Sequence, residues 1–184
     1  MKSSRSVCVF CGSSPAVDPA YFDLARAVGR GLAARGVTLV YGGASVGMMG
    51  ALADAALQAG GRVVGVIPRR LMEREIAHTG VSELLVVDRM DERKALMLDR
   101  ADAFVALPGG FGTLDELFEV ATLAQIGVLA KPVALLDHGG FWTGLHAWID
   151  RACAERFVPE HVRGLVARRD DVDALFAWID EALR

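Results

Sequence analysis

Cysteine, lysine and aromatic residues are all scarce in this 184-residue chain, and no apolar run reaches membrane length. Cys8, Cys11 and Cys153 are an odd number in a chain too large to need disulfide staples, which excludes a cross-linked secreted scaffold. Cys8 and Cys11 have the spacing of a redox motif, but they lie in an apolar run that reads as a strand, where residues three apart point to opposite faces. Both are expected to be buried structural thiols, and no second Cys/His cluster completes a metal site, so no metal is expected. Only Lys2, Lys94 and Lys131 are lysine among 20 basic residues. These are spread along the chain and the net charge is −3, which speaks against a general phosphate-backbone binder. An aromatic share of 7% leaves few rings for stacking bases, so a single-stranded nucleic-acid module is disfavoured. No stretch approaches the roughly 18 apolar residues of a membrane helix, and the segment before the first apolar run is too short for a signal peptide. A cytoplasmic protein with neither a membrane nor a nucleic-acid partner is the expectation.

Core material, by contrast, is ample, with 53% hydrophobic residues. The length predicts one domain over residues 1–184. Short apolar runs alternate with longer helical patterns from end to end, the signature of an α/β fold with a mostly parallel sheet and helices on both faces. The predicted strands are 7–11, 37–41, 62–67, 84–87, 103–107 and 133–136, with 164–167 as a weaker edge strand. All are continuously apolar, as buried parallel strands should be. Asp18 followed by Pro19 predicts an N-cap and first-turn proline, and Gly36 ends that helix. Further helices are predicted over 47–59, 91–101, 113–129, 141–156 and 171–183. The 113–129 helix is apolar nearly all round (Leu117, Phe118, Val120, Ala121, Leu123, Ala124, Ile126), so it is expected to be buried on more than one side, either inside the domain or against a second copy.

Three strand ends run into glycine- or serine-rich turns: Gly12-Ser13-Ser14, Gly42 to Gly47, and Pro108 to Thr113. In open α/β sheets ligands bind outside these carboxyl ends, glycine lets backbone approach a phosphate, and the following helix start offers unpaired N–H groups. Three such turns on one edge would make a nucleotide-sized, anion-attracting crevice. Gly42 to Gly47 has P-loop spacing, but Met48 and Met49 replace the lysine and the hydroxyl residue, which disfavours NTP hydrolysis. The dinucleotide G-x-G-x-x-G pattern fails as well, because Gly110-Phe111-Gly112 is followed at the third place by Asp115.

The third turn delivers Glu116 to the start of a helix, where Thr113 and Glu116 would also fit a capping box that merely satisfies the backbone. Arg93 and Lys94, in the helix start near residue 91, could bring two cations to the same edge; the plain alternative is a solvated helix start. His78, His138, His146 and His161 are scattered and expected to be surface or structural residues.

Pro108 to Glu116 resembles the PGGxGTxxE signature of the LONELY GUY (LOG) family, often labelled lysine decarboxylases, and matching segments occur in order at 7–14, 41–50, 61–68, Glu75 and 90–94. The resemblance implies a phosphoribohydrolase that cleaves the N-glycosidic bond of a cytokinin or adenosine riboside 5′-monophosphate, a small-molecule partner. It further implies Arg93 and Glu116 as catalytic residues, and substrate contacts at Glu75, Lys94, Gly110, Phe111, Gly112, Thr113, Leu114, Asp115 and Thr122. Gly12, Ser13, Gly43 and Gly109 are expected on the phosphate edge. A homodimer without cofactor is expected. Ala44 departs from the family's three consecutive glycines after the second strand. No lysine has the recognisable surroundings of a pyridoxal Schiff base. A non-catalytic nucleotide or molybdenum-cofactor carrier on the same fold is the competing reading, and it would have no need of an Arg93/Glu116 pair.

Overall fold

A computed structural model describes residues 5–72 and 76–184. Along the chain the elements are β1 (Ser6–Phe10), α1 (Pro19–Ala34), β2 (Thr38–Tyr41), α2 (Gly47–Gln58), β3 (Val63–Pro68), β4 (Glu83–Val87), α3 (Met90–Arg100), β5 (Ala103–Ala106), α4 (Phe111–Gln125), β6 (Val133–Leu136), α5 (Thr143–Ala154), β7 (Val166–Arg169) and α6 (Val172–Ala182). The strands form one seven-stranded sheet in the order β4-β3-β2-β1-β5-β6-β7, with every neighbouring pair parallel. Successive strands therefore move outward in one direction from β1 to β4 and in the other from β5 to β7. The reversal lies between β1 and β5, which pair from Val7 opposite Ala103 to Phe10 opposite Ala106.

Alternation along β1 splits the core into two layers. Val7, Val9 and Cys11 pack with Leu24, Val28 and Leu32 of α1, Leu52 of α2 and Ile179 of α6. Cys8 and Phe10 pack on the other face with Met97 of α3 and Leu117 and Val120 of α4. Cys8 and Cys11 thus lie on opposite sides of the sheet, both buried and both free thiols. With both faces covered, the inner strands β1, β2, β3, β5 and β6 are buried along their whole length and almost entirely apolar, whereas the edge strands β4 and β7 carry Glu83, Arg168 and Arg169. Asp18 caps α1 as its sequence predicts, its carboxylate accepting from the Ala20 N–H at 2.9 Å, with Pro19 at the first helical position.

Three expectations change. Helix α4 begins two residues early, at Phe111, with Gly110 as its N-cap. It ends at Gln125, short of 129, and it is not buried on several sides within this chain: Thr113, Leu117 and Val120 are buried, whereas Phe118 and Ile126 stand exposed. The edge strand β7 starts at Val166 rather than 164, because a turn closed by the Leu165 N–H on the Val162 carbonyl occupies the preceding residues. Helix α5 is shorter than 141–156, with a turn of 3₁₀ helix at His138–Gly140 before it. Among the described residues no helix is long and apolar enough to cross a membrane.

Candidate active site

The turns that leave β1 and β5 are tied together at the point where the strand order reverses. The Gly12 N–H donates to the Pro108 carbonyl and the Met48 N–H to the Gly12 carbonyl, both at 3.1 Å, so the start of α2 is drawn to the same spot. Above this knot opens a cleft of about 460 Å³. Its polar lining comes from Gly12, Ser13, the backbone from Gly109 to Thr113, Arg93 and Glu116. Val17, Tyr21, Met48, Met49 and Phe141 supply an apolar wall, and Phe111, also in the lining, is almost fully exposed.

The first N–H groups of an α-helix have no intrahelical partner, and the N-cap of α4 is Gly110, which has no side chain to cap them. They face a cleft that the helix's partial positive charge makes attractive to an anion. Gly109 is demanded by packing, since a Cβ there would run into the Thr113 side chain. Gly110 and Gly112 are not: a Cβ at either would meet no atom within 4 Å. Their missing side chains leave backbone N–H groups open to a ligand. The early helix start also removes the capping-box reading of Glu116. Thr113 is the third helical residue, not the cap, and it is buried against Gly109, while Glu116 stands in the second turn and lines the cleft.

Arg93 is not part of a solvated helix start. Glu92 reaches back to accept from the Asp88 and Arg89 N–H groups, fixing the first turn of α3, and Arg93 turns inward to 6% exposure. Its Nε donates to the Val66 carbonyl at 3.1 Å and one Nη to the Gly42 carbonyl at 3.0 Å, with the other Nη 3.6 Å from the Met90 sulfur. A buried charge is tolerable only when hydrogen-bonded, and the ends of β2 and β3 supply those bonds. Gly42 must be glycine here, because a Cβ would occupy the guanidinium's place. Arg93 and Glu116 both act on the thiol of Cys8: burial raises its pKa most, Glu116 raises it further and Arg93 opposes. Burial and then Glu116 likewise push up the Cys11 thiol, which lines the cleft floor. Arg93 and Glu116 thus line one cleft together with Cys11, the residue that follows β1.

The remaining expected residues divide. Gly110, Phe111, Gly112, Thr113, Gly12, Ser13 and Gly109 line the cleft with Arg93 and Glu116. Lys94 and Asp115 are turned to one another, 3.2 Å apart, behind it. Leu114 packs against the α3/α4 core layer, and Thr122 borders a separate apolar groove between α4 and α5. Gly43, with φ +78, backs onto Val66 and Ile67 instead of the cleft, and Ala44 is fully buried in a bridge to Ala77. Glu75 lies outside the described residues. The apolar wall leaves no mark in the sequence: Met48 and Met49 stand out there only as misfits to a P-loop, and nothing local marks Phe141, which arrives from beyond β6. Among the described residues no three His, Cys, Asp or Glu side chains gather to hold a metal.

Residues 49–179 match a family described as possible lysine decarboxylases. A pyridoxal Schiff base needs a lysine in the cleft, and the described lysines do not fit: Lys94 pairs with Asp115 and Glu119, and Lys131 donates to the Leu98 carbonyl at 2.8 Å. Among curated proteins, the chain is 47% identical to the cytokinin riboside 5′-monophosphate phosphoribohydrolase LOG of Oryza sativa subsp. japonica, over 96% of this chain and 73% of that one. It is 44% identical to the cytokinin riboside 5′-monophosphate phosphoribohydrolase LOG7 of Arabidopsis thaliana, over 96% of this chain and 82% of that one. Among solved structures, the molybdenum cofactor carrier protein of Chlamydomonas reinhardtii superposes with a TM-score of 0.77 at 23% identity, over 98% of this chain and 99% of that one, a likeness of fold alone.

Proposed function

The chain belongs to the LOG family of cytokinin riboside 5′-monophosphate phosphoribohydrolases, and from that premise we propose that it hydrolyses the N-glycosidic bond of a purine riboside 5′-monophosphate, releasing the free base and ribose 5-phosphate. The observation that carries the reading is the convergence of Arg93 and Glu116 in one cleft with the uncapped start of α4. A carrier needs the phosphate cradle but not a buried arginine and a carboxylate lining the same cleft.

In this reading the 5′-phosphate sits on the N–H groups of Gly110, Gly112 and Thr113, with Gly12, Ser13 and Gly109 along its edge. Stretching the ribosyl–base bond builds positive charge on the sugar, and a carboxylate close to the anomeric carbon stabilises it or takes a proton from the attacking water. Glu116 has that role. Arg93, its fork held by two carbonyls, keeps a fixed positive charge toward the departing base or the sugar hydroxyls at no cost of reorganisation. The apolar wall of Val17, Tyr21, Met48 and Phe141 suits a base, plain or bearing an apolar N6 substituent. The exposed Phe118 of α4 and Ile126 just past its end support a homodimer through that helix. Incubation with AMP, isopentenyladenosine monophosphate and the two unphosphorylated nucleosides, followed by separation of products, tests the proposal: free base should appear from the monophosphates. Binding of AMP without base release would favour the carrier reading.

A further inference from the structure

The turn from Gly42 to Gly47 has little with which to hold itself in place. Three of its six residues are glycine, and Ser45 is its only polar side chain. Yet its first carbonyl, that of Gly42, is one of the two that hold the buried Arg93 guanidinium. Support comes from residues 76–80, laid along the turn as a short antiparallel strap. Ala77 bridges Ala44, the His78 N–H donates to the Gly43 carbonyl at 2.9 Å, and the N–H and hydroxyl of Ser45 both donate to the Ile76 carbonyl.

This strap is strained and needs an anchor. Ile76 has φ +45, a left-handed conformation that a β-branched residue rarely adopts, and such a conformation persists only where surrounding contacts impose it. His78 supplies the anchor. Its side chain is only 12% exposed, with Nε2 2.9 Å from a carboxylate oxygen of Asp54 on α2 and Nδ1 accepting the Gly80 N–H at 3.2 Å. A backbone N–H can only donate, so Nδ1 carries a lone pair and the ring proton sits on Nε2, where it is donated to Asp54. A ring protonated at both nitrogens would set its own N–H against that of Gly80. Both ring nitrogens are thus spent on fixing the strap, and the bond to Asp54 needs an acceptor there but no charge. Neither His78, Asp54, Ser45 nor Ile76 lines the cleft.

We propose that His78, with its proton on Nε2, is a positioning residue: it pins the strap to α2, the strap holds the turn after β2, and the turn keeps the Gly42 carbonyl on Arg93. Its effect on turnover rests on the hydrolase reading above.

Hydrogen exchange of the Ser45 amide and steady-state release of adenine from AMP test the proposal in His78→Ala, Asp54→Ala and Asp54→Asn. His78→Ala removes two bonds made by a partly exposed ring, so the fold should survive with a melting temperature a few degrees lower. The Ser45 amide should exchange roughly tenfold faster as the strap opens locally. Misplacement by about 1 Å costs on the order of 10²-fold in rate, so kcat should fall roughly 10–100-fold. KM for AMP should stay within about threefold of wild type, because the N–H groups at the start of α4 are untouched. Asp54→Ala should act in the same direction with a smaller loss. Asp54→Asn keeps a carbonyl oxygen for the Nε2 proton and should hold both exchange and kcat near wild type. A folded His78→Ala protein with wild-type Ser45 exchange or wild-type kcat would overturn the proposal. So would Asp54→Asn as impaired as Asp54→Ala, since a bond that needs the carboxylate's charge is not the one described. If His78→Ala fails to fold, the Asp54 pair carries the same test, because Asp54 is 58% exposed on α2 and alanine suits a helix. Wild-type protein that releases no base from any monophosphate refutes the hydrolase reading itself, and Ser45 exchange still decides whether His78 holds the strap.

Discussion

Replacing Gly112 by alanine separates what this glycine does for the fold from what it does for a ligand. Gly112 is the second residue of α4, its φ is not in the left-handed region, and a Cβ there meets no atom within 4 Å. Alanine is the better helix residue by roughly 0.5–1 kcal/mol, and at about 2–4 °C per kcal/mol for a chain of this size the melting temperature should rise by roughly 1–4 °C. The methyl group would stand where a phosphate oxygen approaches the helix start. Losing one charge-assisted hydrogen bond of about 1.5–3 kcal/mol lowers kcat/KM for AMP by roughly 10–150-fold, at 1.36 kcal/mol per tenfold. Hydrolysis of adenosine, which has no phosphate to place, should change little. The assay is initial-rate release of adenine from both substrates, beside a thermal melt. A Gly112→Ala enzyme as stable as expected that turns over AMP at the wild-type rate would refute the phosphate cradle at α4.

Arg93→Ala should be inactive and also less stable by about 2–4 kcal/mol, because the Val66 and Gly42 carbonyls lose their buried donor; a urea melt checks the second part, and an unshifted midpoint would contradict it. Cys8 and Cys11 stay protonated in the folded chain beyond the ordinary thiol value of 9.0. The unfolded chain releases those protons first, so their contribution to stability is intact below about pH 9 and falls as pH rises above it. Melting curves at pH 7 and 10 should therefore converge in a Cys8→Ala/Cys11→Ala variant, and both thiols should resist alkylation in the native protein at pH 8. Light scattering should give close to twice the 19.6 kDa chain mass. Phe118→Glu, on the exposed face of α4, should shift that value toward the monomer.

Much of the fold can be read from the chain because local and global signals agree: apolar runs of strand length, Asp18-Pro19 opening a helix, and glycines ending others. The reading failed at α4. Thr113 looks like a cap in sequence, whereas the helix has already begun at Phe111 with Gly110 as its cap, and a glycine cap without a side-chain bond leaves no signal in the sequence. The direction of Arg93 is likewise invisible along the chain. Nothing in Asp91-Glu92-Arg93-Lys94 distinguishes the residue that turns to the sheet from the one that turns to α4, because that depends on which carbonyls end β2 and β3. The apolar wall is built from the starts of α1 and α2 and the residue Phe141, which the fold alone assembles.

The most direct test of the central claim is adenine release from AMP by Glu116→Gln beside wild type, each with its melting curve. Thr113 is not the N-cap of α4, so Glu116 closes no capping box with it, and the isosteric amide should leave the melting temperature within a few degrees, while loss of the charge that supports the sugar should cut turnover by roughly 10²-fold or more. A Glu116→Gln protein that melts normally and releases adenine at close to the wild-type rate would contradict the account.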